Sequence, residues 1–195
     1  MTVTFAPNFA FGLINERAVE MERRHWDLSS VRFFLNGGEA VVPRTARRFM
    51  QLAAAHRVRP DSMWPAWGMS EISSGVTYGD RFRLDSTADS DPFAEVGLPI
   101  PGTWLRIVNE HDEPVCEGET GRLQFKGTTL MAGYYNNPRA NAEAFTKDGW
   151  FKTGDLGYLR DGRLTITGRE KDVIIINGVN YYSHEIESVV EQVTG

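Results

Sequence analysis

A chain of 195 residues is long enough for one sizeable core, or a core with a small satellite. Its formal net charge of −5 argues against a broad nucleic-acid or anionic-membrane surface. One cysteine, Cys116, excludes an internal disulfide framework and a cysteine-rich zinc site, and the 4 histidines form no ligand-spaced cluster.

Apolar residues Phe11, Ile14, Ala18 and Met21 recur at three- and four-residue steps, which predicts a helix over 11–24. A short apolar run over 31–35 ends at Asn36-Gly37-Gly38, a buried strand leading into a loop. Pro43 opens a second helix with Ala46, Phe49, Met50 and Ala53 on one face; Arg44, Arg47 and Arg48 have the spacing of its wetted side. A further strand is expected over 63–67, and this alternation implies parallel α/β layering. After Pro92 the pattern changes to short strands over 104–108, 121–126 and 162–167, parted by turn-forming stretches. That reads as an antiparallel barrel, with a short helix over 138–145. Beyond Arg169 come a strand over 173–176, a turn at Gly178-Val179-Asn180, and a final helix from Ser183 toward Gly195. The domains expected are therefore 1–91, 92–168 and 169–195, the last one incomplete. Polar residues Asn8, Asn15, Glu16 and Arg17 argue against a signal peptide, and no stretch reaches the ~20 apolar residues of a membrane helix. The expectation is a cytoplasmic protein without membrane insertion.

Four blocks carry candidate chemistry, and each has a plain structural reading beside it. Glycines in Asn36-Gly37-Gly38-Glu39-Ala40 allow a flat ligand close to the backbone, or simply make a tight turn. Trp67-Gly68-Met69-Ser70-Glu71 brings a ring, a hydroxyl and a carboxylate to a strand end, where α/β folds bind ligands; its alternative is a core aromatic followed by a helix cap. Asp155, within Thr153-Gly154-Asp155-Leu156-Gly157 between two predicted strands, is an acceptor for a vicinal diol or merely shapes its own turn. The charged run Gly168-Arg169-Glu170-Lys171-Asp172 is a hinge or a solvated loop.

Taken in order, the four blocks resemble one family: the acyl-adenylate-forming superfamily of acyl-CoA synthetases, adenylation domains of peptide synthetases, and luciferases. Gly121-Arg122-Leu123-Gln124-Phe125-Lys126-Gly127, Gly133-Tyr134-Tyr135, Asn137-Pro138 and Asp148-Gly149-Trp150 look like its barrel motif running into the Thr-Gly-Asp block. The joint match spans roughly residues 36–187. Ala6-Pro7-Asn8-Phe9-Ala10-Phe11 and the stretch 174–182 are similar to fatty-acyl-AMP ligases and to loading ligases of polyketide or hybrid assembly lines.

The resemblance implies ATP-dependent activation of a carboxylic acid, a fatty acid in this reading, followed by transfer to a pantetheine thiol. Gly37, Gly38 and Glu39 would line an adenine slot, and Trp67, where Tyr is usual, would stack on the purine beside Gly68. Ser70, where Thr is usual, would bond the α-phosphate, and Glu71 would hold Mg²⁺. Asp155 would take both ribose hydroxyls, Arg169 would add a second ribose contact, and Lys171 would be the hinge. The acyl pocket would lie near Phe9 and Phe11. Implied cofactors and partners are ATP or AMP, Mg²⁺, and the phosphopantetheine of an acyl carrier protein or CoA. Fatty-acyl-AMP ligases that avoid CoA carry an insertion after the Glu71 block; residues 72–95 leave little room for one, which puts strict CoA rejection in doubt. The chain shows neither the family's Ser/Thr/Gly-rich phosphate loop nor its C-terminal lysine segment, so it is expected to be a fragment that makes no acyl-adenylate alone. The alternatives are a nucleotide-binding homologue that regulates or scaffolds, and an interaction module that has lost the site. All of this requires Trp67, Glu71, Asp155 and Arg169 to converge.

Overall fold

The computed structural model describes residues 2–176, 179–182 and 190, with side chains through Asp172 and at Val190. The helix expected from Ser183 lies outside the described residues apart from Val190.

Three short strands start the sheet: β1 (Val3–Ala6), β2 (Phe33–Asn36) and β3 (Met63–Gly68), paired parallel in that order. Helices α1 (Asn8–Glu16), α2 (Ala18–Glu22) and α3 (Pro43–Ala54) belong to the same layer. The expected single first helix is thus two. Pro7 is extended ahead of α1, so the helix starts at Asn8, and Arg17 leaves helical geometry at φ −99°, ψ 26°. Pro43 opens α3 as its spacing requires, with Ala46, Phe49, Met50 and Ala53 buried. Phe11, Phe34 and Phe49 meet edge to face at centroid distances of 4.8 and 5.1 Å and anchor the first core. Each buried ring contributes about 1.5–3 kcal/mol. Arg47 departs from the wetted-face reading: it is largely covered, bonding Leu84 O at 2.7 Å and Asp89 at 2.6 Å.

The sheet then turns antiparallel through β4 (Gly75–Tyr78), β5 (Glu95–Pro99), β9 (Arg163–Arg169), β8 (Phe151–Arg160), β7 (Gly121–Gly127) and β6 (Thr103–Val108). A second core of Trp67, Ile72, Val76, Val96, Ile107, Leu123, Phe125 and Leu164 fills this half. Helix α4 (Pro138–Ala144) is capped by Asn137, whose side chain accepts from Ala140 N at 3.1 Å. Past β9, a 3-10 turn (Glu170–Asp172) leads to a separate hairpin of β10 (Val173–Ile176) and β11 (Val179–Tyr182). Val179 and Asn180, expected in a turn, already belong to β11. This is the mixed α/β architecture expected, a parallel layer continuing into an antiparallel one. No helix among the described residues is long and apolar enough to cross a membrane.

Candidate functional site

Strand β3 ends in a bulge between Trp67 and Gly68 where it meets β4. A Cβ on Gly68 would lie 2.0 Å from Ser74 O, so only glycine fits this crossing. Gly37 has a similar cause, since its Cβ would sit 2.6 Å from Ala66 O on the neighbouring strand. Gly38 adopts φ +91°, a left-handed turn that glycine takes without strain. Glu39 is exposed, and its Oε1 accepts from Phe9 N at 2.5 Å, tying the glycine loop to the start of α1.

Asp155 lies within β8 itself and not in the turn expected. Thr153 produces the difference: its hydroxyl donates to Leu123 O at 2.9 Å and accepts from Asp155 N at 3.1 Å. Gly154 takes φ +76°, and the β7–β8 register slips there. The slip brings Asp155, 4 % exposed, to Trp67. Trp67 Nε1 donates to Asp155 Oδ2 at 2.8 Å, and Arg169 Nε lies 3.2 Å from Asp155 Oδ1. Arg169 is the registered partner of Asp155 on β9. Burial pushes the Asp155 carboxyl above its ordinary range, against the pull of the Trp67 hydrogen bond and the Arg169 charge. Trp67 is only 7 % exposed. Its ring is packed in the second core, so what it presents to Asp155 is its N–H edge.

Ser70 and Glu71 fall on a 3-10 turn (Ser70–Ile72) directly after β3. Ser70 is exposed; Glu71 is half-buried and clamped from the loop after β7. Tyr134 Oη donates to Glu71 Oε1 at 2.9 Å, Met131 N donates to Glu71 O at 2.8 Å, and Ser73 Oγ donates to Thr129 O at 2.9 Å. Tyr134 is itself fixed by Asn141 of α4 through two hydrogen bonds of 2.6 and 3.0 Å. Three of the four residues required to converge are therefore in direct contact, and Glu71 follows Trp67 by one tight turn. The hinge candidate Lys171 is exposed and engaged by no ion pair among the described residues. The two residues before it are held: Arg169 by Asp155, and Glu170 by Arg122 at 2.7 Å. Phe11 belongs to the first core and Phe9 is 59 % exposed, so the two do not share a pocket wall. The sequence reading gave no role to Thr153 or Asn141 and missed the grip of Tyr134 on Glu71. Asn141's seven-residue distance from Tyr134 was no signal without the fold.

Residues 1–135 match the family of AMP-binding enzymes. This chain is a member of that family. It is 40 % identical over 197 residues to the nonribosomal peptide synthetase apvA of Aspergillus terreus (strain NIH 2624 / FGSC A1156), covering 98 % of the chain and 21 % of that protein. The chain thus spans about a fifth of the curated relatives it matches. Among solved structures it superposes on the adenylation domain of a keto acid-selecting NRPS module bound to keto acyl adenylate, at TM-score 0.85 and 46 % identity, covering 100 % of this chain and 39 % of that one. McyG A-PCP complexed with phenylalanyl-adenylate matches at TM-score 0.93 and 44 % identity, over 100 % and 35 % of the two chains. Fatty acyl-adenylate ligases from E. coli and L. pneumophila match at TM-score 0.82 and 27 % identity, over 97 % and 38 %.

An AMP-binding enzyme of this kind implies ATP and AMP as ligands, and the buried acceptor Asp155 suits a nucleoside's hydroxyls. Among the described residues no three His, Cys, Asp or Glu side chains are grouped to hold a metal ion. The lone Glu71 carboxylate fits Mg²⁺ only where nucleotide phosphates and water complete its shell.

Proposed function

We propose that this chain is the adenosine-holding portion of a carboxylate-activating ligase of the nonribosomal peptide synthetase type. In the whole enzyme a substrate carboxylate oxygen attacks the α-phosphorus of ATP. The bond to the β-phosphate oxygen breaks, pyrophosphate departs, and an acyl-adenylate remains. A pantetheine thiol then attacks the acyl carbon, AMP leaves, and a thioester forms. The protein's work is positioning and charge neutralisation.

The observation that supports this most is the Trp67–Asp155–Arg169 cluster. Its buried carboxylate is an acceptor with lone pairs to spare, the chemistry that gripping a ribose 2′,3′-diol would require. In this reading Gly37, Gly38 and Glu39 border the adenine, Ser70 donates to the α-phosphate, and Glu71 holds the Mg²⁺ that accompanies ATP, whose charge would offset that of the phosphates. Residues 1–91 and 92–168 serve as the two walls of the site, and 169–195 begin the unit that turns about Lys171.

For the acid, a fatty chain was the first expectation. We place a 2-oxo or amino acid ahead of it. The 44–46 % identical structures are bound to keto acyl adenylate and phenylalanyl-adenylate, while the fatty acyl-adenylate ligases stand at 27 %. Phe11, offered as a fatty-pocket wall, lies in the core. A carrier-bound phosphopantetheine is the proposed acceptor, supported by the A-PCP pairing of McyG, with CoA second.

Calorimetry with acylsulfamoyl-adenosines carrying a 2-oxo acid, an amino acid or a fatty chain tests the reading. Tightest binding of the 2-oxo or amino forms is expected. Equal, weak or absent binding of all three contradicts it.

A further inference from the structure

Trp67 occupies the ring position of the candidate site, yet it belongs to the second core and is only 7 % exposed. The feature that reaches the site is the indole N–H, 2.8 Å from Asp155 Oδ2. This contact joins residues 88 positions apart, from the parallel and antiparallel halves of the sheet. Two features fix it. The β3 bulge at Gly68 ends the strand just past Trp67. The Thr153 hydroxyl locks the β8 bulge that aims Asp155.

We propose that Trp67 is a positioning residue acting through its indole N–H, which holds the Asp155 carboxylate oriented and ionised for the ribose hydroxyls of a nucleotide. This deepens the proposed function and rests on its nucleotide reading. A carboxylate this deeply buried is unfavourable in its ionised form unless donors reach it. Its charged neighbours are Arg169 on β9, which favours ionisation, and Asp172 in the following turn, which opposes it. Arg169 is 65 % exposed and therefore screened by water, so the buried donor is Trp67. A ring without N–H would fill the core equally well and leave one carboxylate oxygen without that donor. Each oxygen accepts more than one hydrogen bond, so occupation by Trp67 leaves lone pairs for a diol.

The test replaces Trp67 with β-(3-benzothienyl)alanine by nonsense suppression, which keeps ring shape and puts sulfur in place of N–H. Trp67→Phe is the second variant, and thermal unfolding shows whether each is folded. AMP affinity is measured by calorimetry from pH 5 to 9, without metal, beside the wild-type chain and Asp155→Ala. The acid midpoint of AMP binding should move up by about one to two pH units in the benzothienyl variant, because a hydrogen bond to the charged form is lost. Affinity on the alkaline plateau should change less. An unchanged midpoint in a folded variant, with wild-type binding still dependent on Asp155, overturns the role of the N–H while leaving the nucleotide site standing. Wild-type chain that binds no AMP, or binds it regardless of Asp155, overturns both.

Discussion

Tyr134 donates a 2.9 Å hydrogen bond to Glu71, fastening the loop after β7 onto the turn after β3. Burial first, and the neighbouring carboxylate second, push the Tyr134 phenol above its ordinary value, so it remains a donor throughout the physiological range. Glu71 is thereby held by a side chain 63 positions away, as Trp67 and Asp155 hold each other.

Tyr134→Phe separates holding Glu71 from filling space. Losing the hydroxyl should weaken Mg·ATP binding about 3–10-fold, the scale of one such hydrogen bond, and leave AMP binding in chelator unchanged. Calorimetry under the two conditions checks this.

Asp155→Asn should stabilise the chain while spoiling the site. The folded state holds the Asp155 proton more tightly than the unfolded chain does, because burial raises its carboxyl. Stability therefore declines as pH rises from the ordinary carboxylate range through that raised value, and is level above it. Asparagine removes the slope and keeps an acceptor for the Trp67 N–H. At pH 7 the unfolding temperature should rise by a few degrees, on the order of 1 kcal/mol, and AMP binding should fall.

Arg163 is 4 % exposed and joins β9 to Glu95 at 2.5 Å and to Asp80. Burial works to raise the Asp80 carboxyl, but Arg163 outweighs it and keeps it below its ordinary value. That contribution is complete above the ordinary carboxylate value and is lost as pH falls through the lowered one. Arg163→Met should cost about 1–3 kcal/mol in denaturant unfolding at pH 7, less than a fully buried pair because Asp80 and Glu95 reach water. The penalty should shrink in acid.

Phe11→Ala and Phe9→Ala distinguish core from pocket. The first should cost about 3–5 kcal/mol, and the second should stay within about 0.5 kcal/mol, both by denaturant unfolding.

The legible parts of the fold were those with a local cause. Strand β2 and helix α3 follow from an uninterrupted apolar run and from Pro43 ahead of a 3.6-residue stripe. Strands β1, β4, β5 and β8 were not read, because they lack an uninterrupted apolar run and their pairing, as of Val3 with Phe33, is supplied by distant chain. Gly154 reads as a turn signal, yet it serves a bulge within a strand, as Gly68 does at the end of β3. The candidate site residues were named through resemblance and order. Their connections were not, since neither the Trp67 N–H nor Tyr134 Oη has a partner nearby in sequence.

The central claim, one nucleoside site closed by Asp155, is tested most directly by titrating AMP into the wild-type chain, Asp155→Ala and Arg169→Ala. Micromolar binding that falls at least about tenfold without Asp155, and by less without Arg169, is the predicted result. No binding by the wild-type chain, or equal binding by Asp155→Ala, would contradict it.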